Sequence, residues 1–357
     1  MKKYKLYNEK ALCFDDILLI PSSNSMVKSR YSVDLSMKLG NINNLSAILE
    51  LKLPIIASPM DTVCEWEMAS ILSKNGALGI IHRFMNIEKR IYHLNKVEGL
   101  KGVAISLLEA KDKPLIKSLL DTDVRVLCID TANGHANRAI DAVSVLRTLV
   151  PNDIHIMCGN VSTQNAFSEL LLAGADSVRV GIGGGSACTT RIVSGHGMPT
   201  LSSIIDCKEN NKNHYKSEIY SIIADGGIRN TGDMVKAFAS GSNAIMLGSL
   251  LSGYDESPGE IIHDSLGRPV KEFRGMASKE AQEDWLGGVS VSEGISTVVP
   301  YKGKVEDFLR NILGGIGSGC SYSGVDNLNE LYDNSEFVEV SSNSIHESNP
   351  HAIKLIQ

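Results

Sequence analysis

Cys188 sits in the stretch VRVGIGGGSACTTR at 178–191, where an apolar, strand-forming run passes into glycines at 181 and 183–185, then a thiol, two threonines and an arginine. Glycine tolerates dihedrals that other residues avoid, so such a loop lets backbone approach a ligand closely. A thiol next to exposed amides and Arg191 would have its thiolate favoured, and the thiolate is the form that attacks carbon. Against this stands the commoner fate of cysteine, a small buried hydrophobe beside an ordinary turn. These residues alone leave the two readings level. As a nucleophile, Cys188 would bond an electrophilic ring carbon and divide one difficult exchange into two steps. Thr190, two residues on, could pass a proton, but a threonine is a weak acid and needs a partner. Glu293, in the sequence VSEGI, is the candidate, because closure of a flap over it would raise its pKa by desolvation. The alternative for Glu293 is a solvated flap carboxylate.

Short β-rich runs recur at 54–58, 77–81, 102–106, 125–130, 154–158, 177–181, 221–225 and 244–248. They are nearly continuous in apolar residues, as parallel strands covered on both faces must be, and helical patterns such as NAFSELLLAGA (165–175) fill the intervals. Eight alternations of strand and helix predict a (β/α)8 TIM barrel, preceded by an N-terminal extension. A doubly wound sheet is the alternative, and no G-x-G-x-x-G follows the first strand. Most strands start roughly 23 to 29 residues apart, whereas the sixth and seventh are about 44 apart, which places a catalytic-loop insertion at 182–220. Residues 250–303 form a second insertion before a helix at 305–313 that is expected to stop at Gly314-Gly315. Within it, IIHDSLGRPVKEF reads as a hairpin and 276–296 as a mobile flap. The tail at 344–355 is left open between order and fraying.

On a barrel, the polar groups at the strand ends converge on one mouth: Asp61, His82-Arg83, Asp130, Asn160, the Cys188 loop, Asp225-Gly226-Gly227 and Gly248-Ser249. Taken singly, Asp61 is more simply a helix cap or turn former. ADGGIRNTGD (224–233) and MLGSLL (246–251) put amides at the ends of strands seven and eight, where such barrels hold phosphate, and so imply a phosphorylated substrate. Asp225 could accept from ribose hydroxyls or cap the next helix.

The full sequence has 357 residues, is 43% hydrophobic and carries a net charge of −6. That composition suits one large globular barrel and argues against a nucleic-acid surface. No apolar run approaches the ~20 residues of a membrane span. Seven scattered cysteines without C-x-x-C suggest neither a disulfide framework nor zinc, so a soluble, unprocessed, cytoplasmic protein is expected.

In order along the chain, FDDILLIP (14–21), SPMDTV (58–63), IDTANGH (129–135), GNVST (159–163), GIGGGSACTTR (181–191), ADGGIR (224–229) and GGIGSGCSYSG (314–324) resemble the signature segments of the IMP dehydrogenase and GMP reductase family over nearly the whole length. The resemblance implies a cysteine adduct at purine C2 and hydride exchange with a nicotinamide. Only about 20 residues separate the runs at 77–81 and 102–106, so no CBS domain is expected there. The dehydrogenase activates water with an Arg-Tyr pair in its flap, and residues 276–303 contain no arginine. KSRY (28–31), GMASKEA (275–281) and CSYSG (320–324) also look like the reductase.

By this resemblance the activity is NADPH-dependent deamination of GMP to IMP, with catalytic Cys188, Thr190 and Glu293. GMP would rest its phosphate on Ser186, Gly226, Gly227, Gly248 and Ser249, its ribose on Asp225, and its base near Gly275, Met276, Ser292 and Gly294. NADPH would meet Ser29, Arg30, Arg83, Asp130, Thr131, Ala132, Asn160 and Ser318. Backbone carbonyls of Gly183, Gly185, Cys188 and Arg191 would surround a monovalent cation such as K+, and a homotetramer is implied. The alternatives are IMP dehydrogenase using NAD and a catalytically silent nucleotide-binding paralogue. Gly184 stands where proline is common and Gly317 where arginine is common. The flap is about three residues short and lacks a guanine-side arginine, while ADGGIR, GYDESPGE (253–260) and HESNPH look more like the dehydrogenase.

Overall fold

In a computed structural model, residues 10–23, 25–211 and 220–349 are described. Eight parallel strands close into a barrel: β1 (Ile55–Ala57), β2 (Leu78–Ile81), β3 (Gly102–Ile105), β4 (Val126–Asp130), β5 (His155–Val161), β6 (Ser177–Val180), β7 (Ser221–Asp225) and β8 (Ala244–Leu247). Closure is made by β8 on β1, with Ile245 opposite Ile55 and Leu247 opposite Ala57. All eight expected strands are present. Outside them lie α1 (Trp66–Lys74), α2 (Ile87–Lys96), α3 (Lys113–Leu120), α4 (Asn137–Leu149), α5 (Gln164–Leu172), α6 (Thr200–Asn211), α7 (Thr231–Ala239) and α8 (Val305–Ser323). Several begin on side-chain caps in the loops that follow strands, as with Asn86, Asp112, Thr163 and Asn230. No helix among the described residues is long and apolar enough to cross a membrane.

The barrel interior is packed with Ile56, Leu78, Ile80, Val126, Met157, Ile223 and Met246, and its amino end is plugged by Leu39, Leu49 and Leu51. Those three leucines come from an antiparallel hairpin, Met37–Asn41 with Asn44–Leu51. Polar groups at the strand starts stitch the plug in place: Ser221 exchanges hydrogen bonds with the Gly40 backbone, and His155 bridges the Ala47 carbonyl and the Ser177 hydroxyl. A plugged floor leaves the carboxyl end as the open mouth.

The long interval between β6 and β7 holds the Cys188 loop, a short helix at Thr190–Val193 and then α6 itself, so the excess is only partly insertion. Residues 212–219 of that interval lie outside the described residues. The expected hairpin is found as Ile262–His263 with Pro269–Arg274, and Ser296–Pro300 adds a third antiparallel strand. The flap carries a helix, Lys279–Leu286, capped by Ser278, where only a polar mobile segment was expected.

α8 does not stop at Gly314-Gly315 but continues to Ser323. The reason is packing on α7: a Cβ at Gly315 would meet Thr231 at 2.7 Å, and one at Gly319 would meet Val235 at 2.5 Å. Each glycine costs about 1 kcal/mol of helix propensity. Close approach of the two helices offsets that cost. In the tail, Phe337–Glu339 pairs antiparallel with Ile17–Leu19, and Ser344–Ser348 forms a short helix; residues 350–357 fall outside the described residues.

Candidate active site

The Cys188 loop leaves β6 through Gly181, where a Cβ would lie 1.9 Å from the Asp225 carbonyl oxygen and φ is +143°. Only glycine lets β6 and β7 deliver their ends this close together. The loop is then clamped by the flap: Thr189 donates its amide to the Glu293 carbonyl at 2.9 Å, and Ile295 donates to the Ala187 carbonyl at 3.0 Å. A two-sided main-chain clamp fixes the register of the two segments, so Cys188 faces Gly294.

The result is a relay. The Cys188 thiol donates to Thr190 Oγ1 at 3.2 Å, and Thr190 donates to Glu293 Oε2 at 2.7 Å. All three side chains are half-buried, in keeping with neither a core thiol nor a freely solvated flap carboxylate. The buried cysteines behave differently. Burial pushes the Cys128 thiol up to about 12 and the Cys320 thiol up to about 11, and raises those of Cys64, Cys158 and Cys207 as well. They are spectators held as thiols, and all seven cysteines are free.

Arg191 does not attend the thiol. Its guanidinium donates to the carbonyls of Met198 at 2.8 Å and Ile182 at 3.5 Å, and its stem covers Gly183 and Gly197. Of the carbonyls expected around a cation, that of Gly185 already accepts the Cys188 amide at 3.0 Å.

Across the mouth, Arg179 rises inside the barrel between two carboxylates. It donates to Asp130 Oδ1 at 2.8 Å through Nη1 and to Asp225 Oδ2 at 2.9 and 3.0 Å through Nη2 and Nε. Asn160 also donates to Asp225, at 2.8 Å, and Arg83 lies 3.4 Å from Asp130. Burial by itself would push the Asp130 carboxyl up, but the charges of Arg179 and Arg83 outweigh it and hold the carboxyl low, ionised. Asp225 is therefore part of a charge array; the cap of α7 is Asn230, which accepts from the Asp233 amide. Arg179 was not singled out from sequence, although a charge inside an apolar strand was the available signal.

The glycines expected at the phosphate end lie together: a Cβ on Gly226 would sit 2.9 Å from the Gly185 amide nitrogen, and Phe14 backs Gly227. Gly248 caps a 3-10 turn that begins at Ser249. Among the described residues, no backbone hydrogen bond engages the amides of Gly226, Gly227 or Ser249. Gly275 donates its amide to the Ile295 carbonyl, and Met276 Sδ accepts the Asp61 amide at 3.4 Å. Ser292 Oγ donates to the Gly294 carbonyl at 2.9 Å.

Asp61 is not a cap. It is paired with Arg274 at 2.6 Å and accepts the Trp285 indole N–H at 2.9 Å, partners more than 200 positions away that local patterning does not reveal. The expected cofactor contacts fall into two groups. Arg83, Asp130 and Asn160, with the Thr131 backbone paired to Gly159 and Asn160, lie at the mouth, whereas Arg30 and Ser318 line a groove of about 420 Å³ between α7, α8 and the N-terminal segment. Ser29 caps the turn that starts at Arg30. The arginine common at position 317 could not fit this arrangement, because a Cβ there would be 2.1 Å from the Arg30 carbonyl oxygen.

Residues 11–351, which include the closed barrel and the thiol relay clamped beneath its flap, match the family model described as IMP dehydrogenase / GMP reductase domain. The chain belongs to this family of oxidoreductases. It is 38% identical to human GMP reductase 1 over 92% of this chain and 95% of that protein. It is 34% identical to inosine-5'-monophosphate dehydrogenase of Borreliella burgdorferi over 97% of this chain and 98% of the relative. Among solved structures, a cysteine-to-alanine variant of GMP reductase from Trypanosoma brucei, in complex with guanosine 5'-monophosphate, superposes with a TM-score of 0.88 at 25% identity, covering 97% and 98% of the two chains.

Proposed function

We propose that the chain is a GMP reductase, carrying out the overall exchange GMP + NADPH + 2 H⁺ → IMP + NADP⁺ + NH₄⁺. The observation that supports it most is the Cys188–Thr190–Glu293 relay closed by a flap without arginine. In this reading the Cys188 sulfur bonds purine C2, the 2-amino group takes protons through Thr190 from Glu293, and the C2–N bond breaks to release ammonia. The nicotinamide cofactor supplies the hydride to C2, after which the C–S bond breaks and the thiolate is restored. Hydrolysis would instead require an activated water, and the flap offers no arginine to activate it.

The donor set suits both ligands. Unengaged amides at Gly226, Gly227 and Ser249, with Ser186 following Gly185, whose amide lies against Gly226, suit a phosphate dianion. Asp225, fixed by Arg179 and Asn160, suits ribose hydroxyls. Met276, Ser292 and the Gly275 and Gly294 backbones lie at the flap end where the base would rest. Asp130, kept ionised, with Arg83 beside it, suits hydroxyls and amide of a dinucleotide, and Arg30 with Ser29 and Ser318 suits the additional phosphate that separates NADPH from NADH. K+ on the carbonyls of Gly183, Gly185, Cys188 and Arg191, a homotetramer and a cytoplasmic location belong to the same reading.

IMP dehydrogenase is the second reading, favoured by the near full-length likeness, at 34% identity, to the Borreliella burgdorferi enzyme and by the ADGGIR segment. Purified protein given GMP with NADPH, and separately IMP with NAD, decides by nicotinamide absorbance. Loss of signal in the first mixture alone is expected. A gain in the second alone overturns the reductase reading.

A further inference from the structure

The flap helix Lys279–Leu286 makes polar contacts that the proposed reaction leaves unused. On the side facing the barrel rim, Trp285 donates its indole N–H to Asp61 Oδ2 at 2.9 Å. Arg274 reaches the same carboxylate through Nη2 at 2.6 Å and Nε at 3.1 Å, and turns Nη1 to Asp284 Oδ2 at 2.6 Å. The Asp61 and Arg274 side chains are only 6% and 10% exposed, so this pair is desolvated, while Asp284 and Trp285 join it from the exposed side. The Trp285 ring stands beside the His82 ring, tilted at 55° with centroids 6.4 Å apart.

On its other side the helix holds the loop ahead of it. Gln282 donates to the carbonyls of Ala277 at 3.0 Å and Val291 at 2.9 Å, and accepts the Ser290 amide at 3.0 Å. Two residues beyond Val291 stands Glu293, whose own amide donates to Ala277. Between the helix and Glu293 the chain offers two glycines and the exposed Val289 and Val291, which bury little. Hydrogen bonds and the short stretches of chain between them therefore link Asp61, beyond the end of β1, to the backbone of the segment that carries Glu293.

We infer that Trp285 and Arg274 are positioning residues that tether the flap helix to Asp61 and, through Gln282, hold Glu293 on Thr190. The consequence for turnover rests on the reading above, in which Glu293 serves the thiol; the tether itself does not. Neither residue touches the relay. Their effect is to reduce the conformations open to the loop before ligand arrives, which is where pre-organised sites gain rate.

Trp285→Phe tests this, since it keeps an aromatic ring beside His82 and deletes the N–H. Glutamyl endopeptidase cleavage after Glu293, located by mass spectrometry, reads loop release without reference to activity. Cleavage there is expected to accelerate about tenfold, the value of one hydrogen bond to a charged group, with kcat falling by a similar factor and the KM for GMP little changed. Gln282→Leu, which removes the link downstream, is expected to act in the same direction. Unchanged cleavage after Glu293 in both variants overturns the tether, as does a fall in kcat without faster cleavage. Faster cleavage with unchanged kcat upholds the tether and removes Glu293 from the reaction instead.

Discussion

Each end of the barrel holds an arginine clasped by aspartate, and the two clasps are built for different purposes. At the floor, Arg147 pairs with Asp176, whose remaining acceptors are filled by the Ile156 amide and Asn44, while the guanidinium also serves the carbonyls of Ile154 and Gly174. The Asp176 side chain is 1% exposed, and burial outweighs the arginine and pushes its carboxyl up to about 6. At the mouth, Arg179 is shared between Asp130 and Asp225, which stay 19% and 14% exposed. Two arginines hold Asp130 low. The same residue types thus form a closed staple where the plug excludes solvent and a charged array open to a ligand where the plug is absent. What separates structure from site here is not the pair but the side of it left uncovered.

If the mouth carries the chemistry and the floor the stability, substitutions should divide accordingly. Cys188→Ala removes the only half-buried thiol of the mouth and is expected to lower turnover on the order of 10⁴-fold or more, with the thermal midpoint almost unmoved. Stopped-flow nicotinamide absorbance and a melting curve check both halves. Substantial residual turnover would remove the covalent step, whatever the fate of the tether.

Arg179→Gln comes next, because it crosses the division. It leaves two carboxylates facing each other across the barrel with one less cation, a loss of about 3–5 kcal/mol for an uncompensated buried pair. Arg179→Lys keeps the charge but not the planar fork that reaches both partners, so a smaller loss of stability and a higher KM for GMP are expected. Urea denaturation and steady-state kinetics separate the two effects. A glutamine variant as stable as the parent would mean that the mouth is solvated and that the contrast with the floor is false.

The barrel was legible because its strands are buried on both faces, so each appears as a short apolar run that no polar face interrupts. The catalytic loop was legible for a related reason: glycines and a thiol in one place are a local signal. What escaped was long-range. Asp61 looks like a cap until Arg274 and Trp285 are brought beside it, and Arg179 looks like a strand residue until the barrel closes and places Asp130 and Asp225 on either side. The glycines of α8 were misread as a stop because helix propensity is local while the surface of α7 that requires them is not. The flap helix had a local sign, Ser278 before KEAQEDWL, which the surrounding polarity and glycines obscured.

The smallest expected effect tests the floor alone. Burial pushes the His155 imidazole down to about 4 from its ordinary 6.5, and with Nδ1–H donated to Ala47, Nε2 is left to accept from Ser177. Between pH 6.5 and 4 the unfolded chain takes up a proton that the folded chain refuses, so this residue's linkage lowers stability as pH falls, by about 2 kcal/mol at pH 5. Asp176 acts in the opposite sense, since its carboxyl, raised to about 6, binds a proton in the folded state before the unfolded one does. His155→Gln leaves that contribution in place and deletes the first. The variant should be less stable than the parent at pH 7, for want of one of the two hydrogen bonds, and the gap should narrow or reverse at pH 5, with turnover at pH 7 unaffected. Urea titrations at the two pH values measure it. A gap independent of pH would show that the floor is not closed to protons, and the distinction between a sealed floor and an open mouth would lose its physical basis.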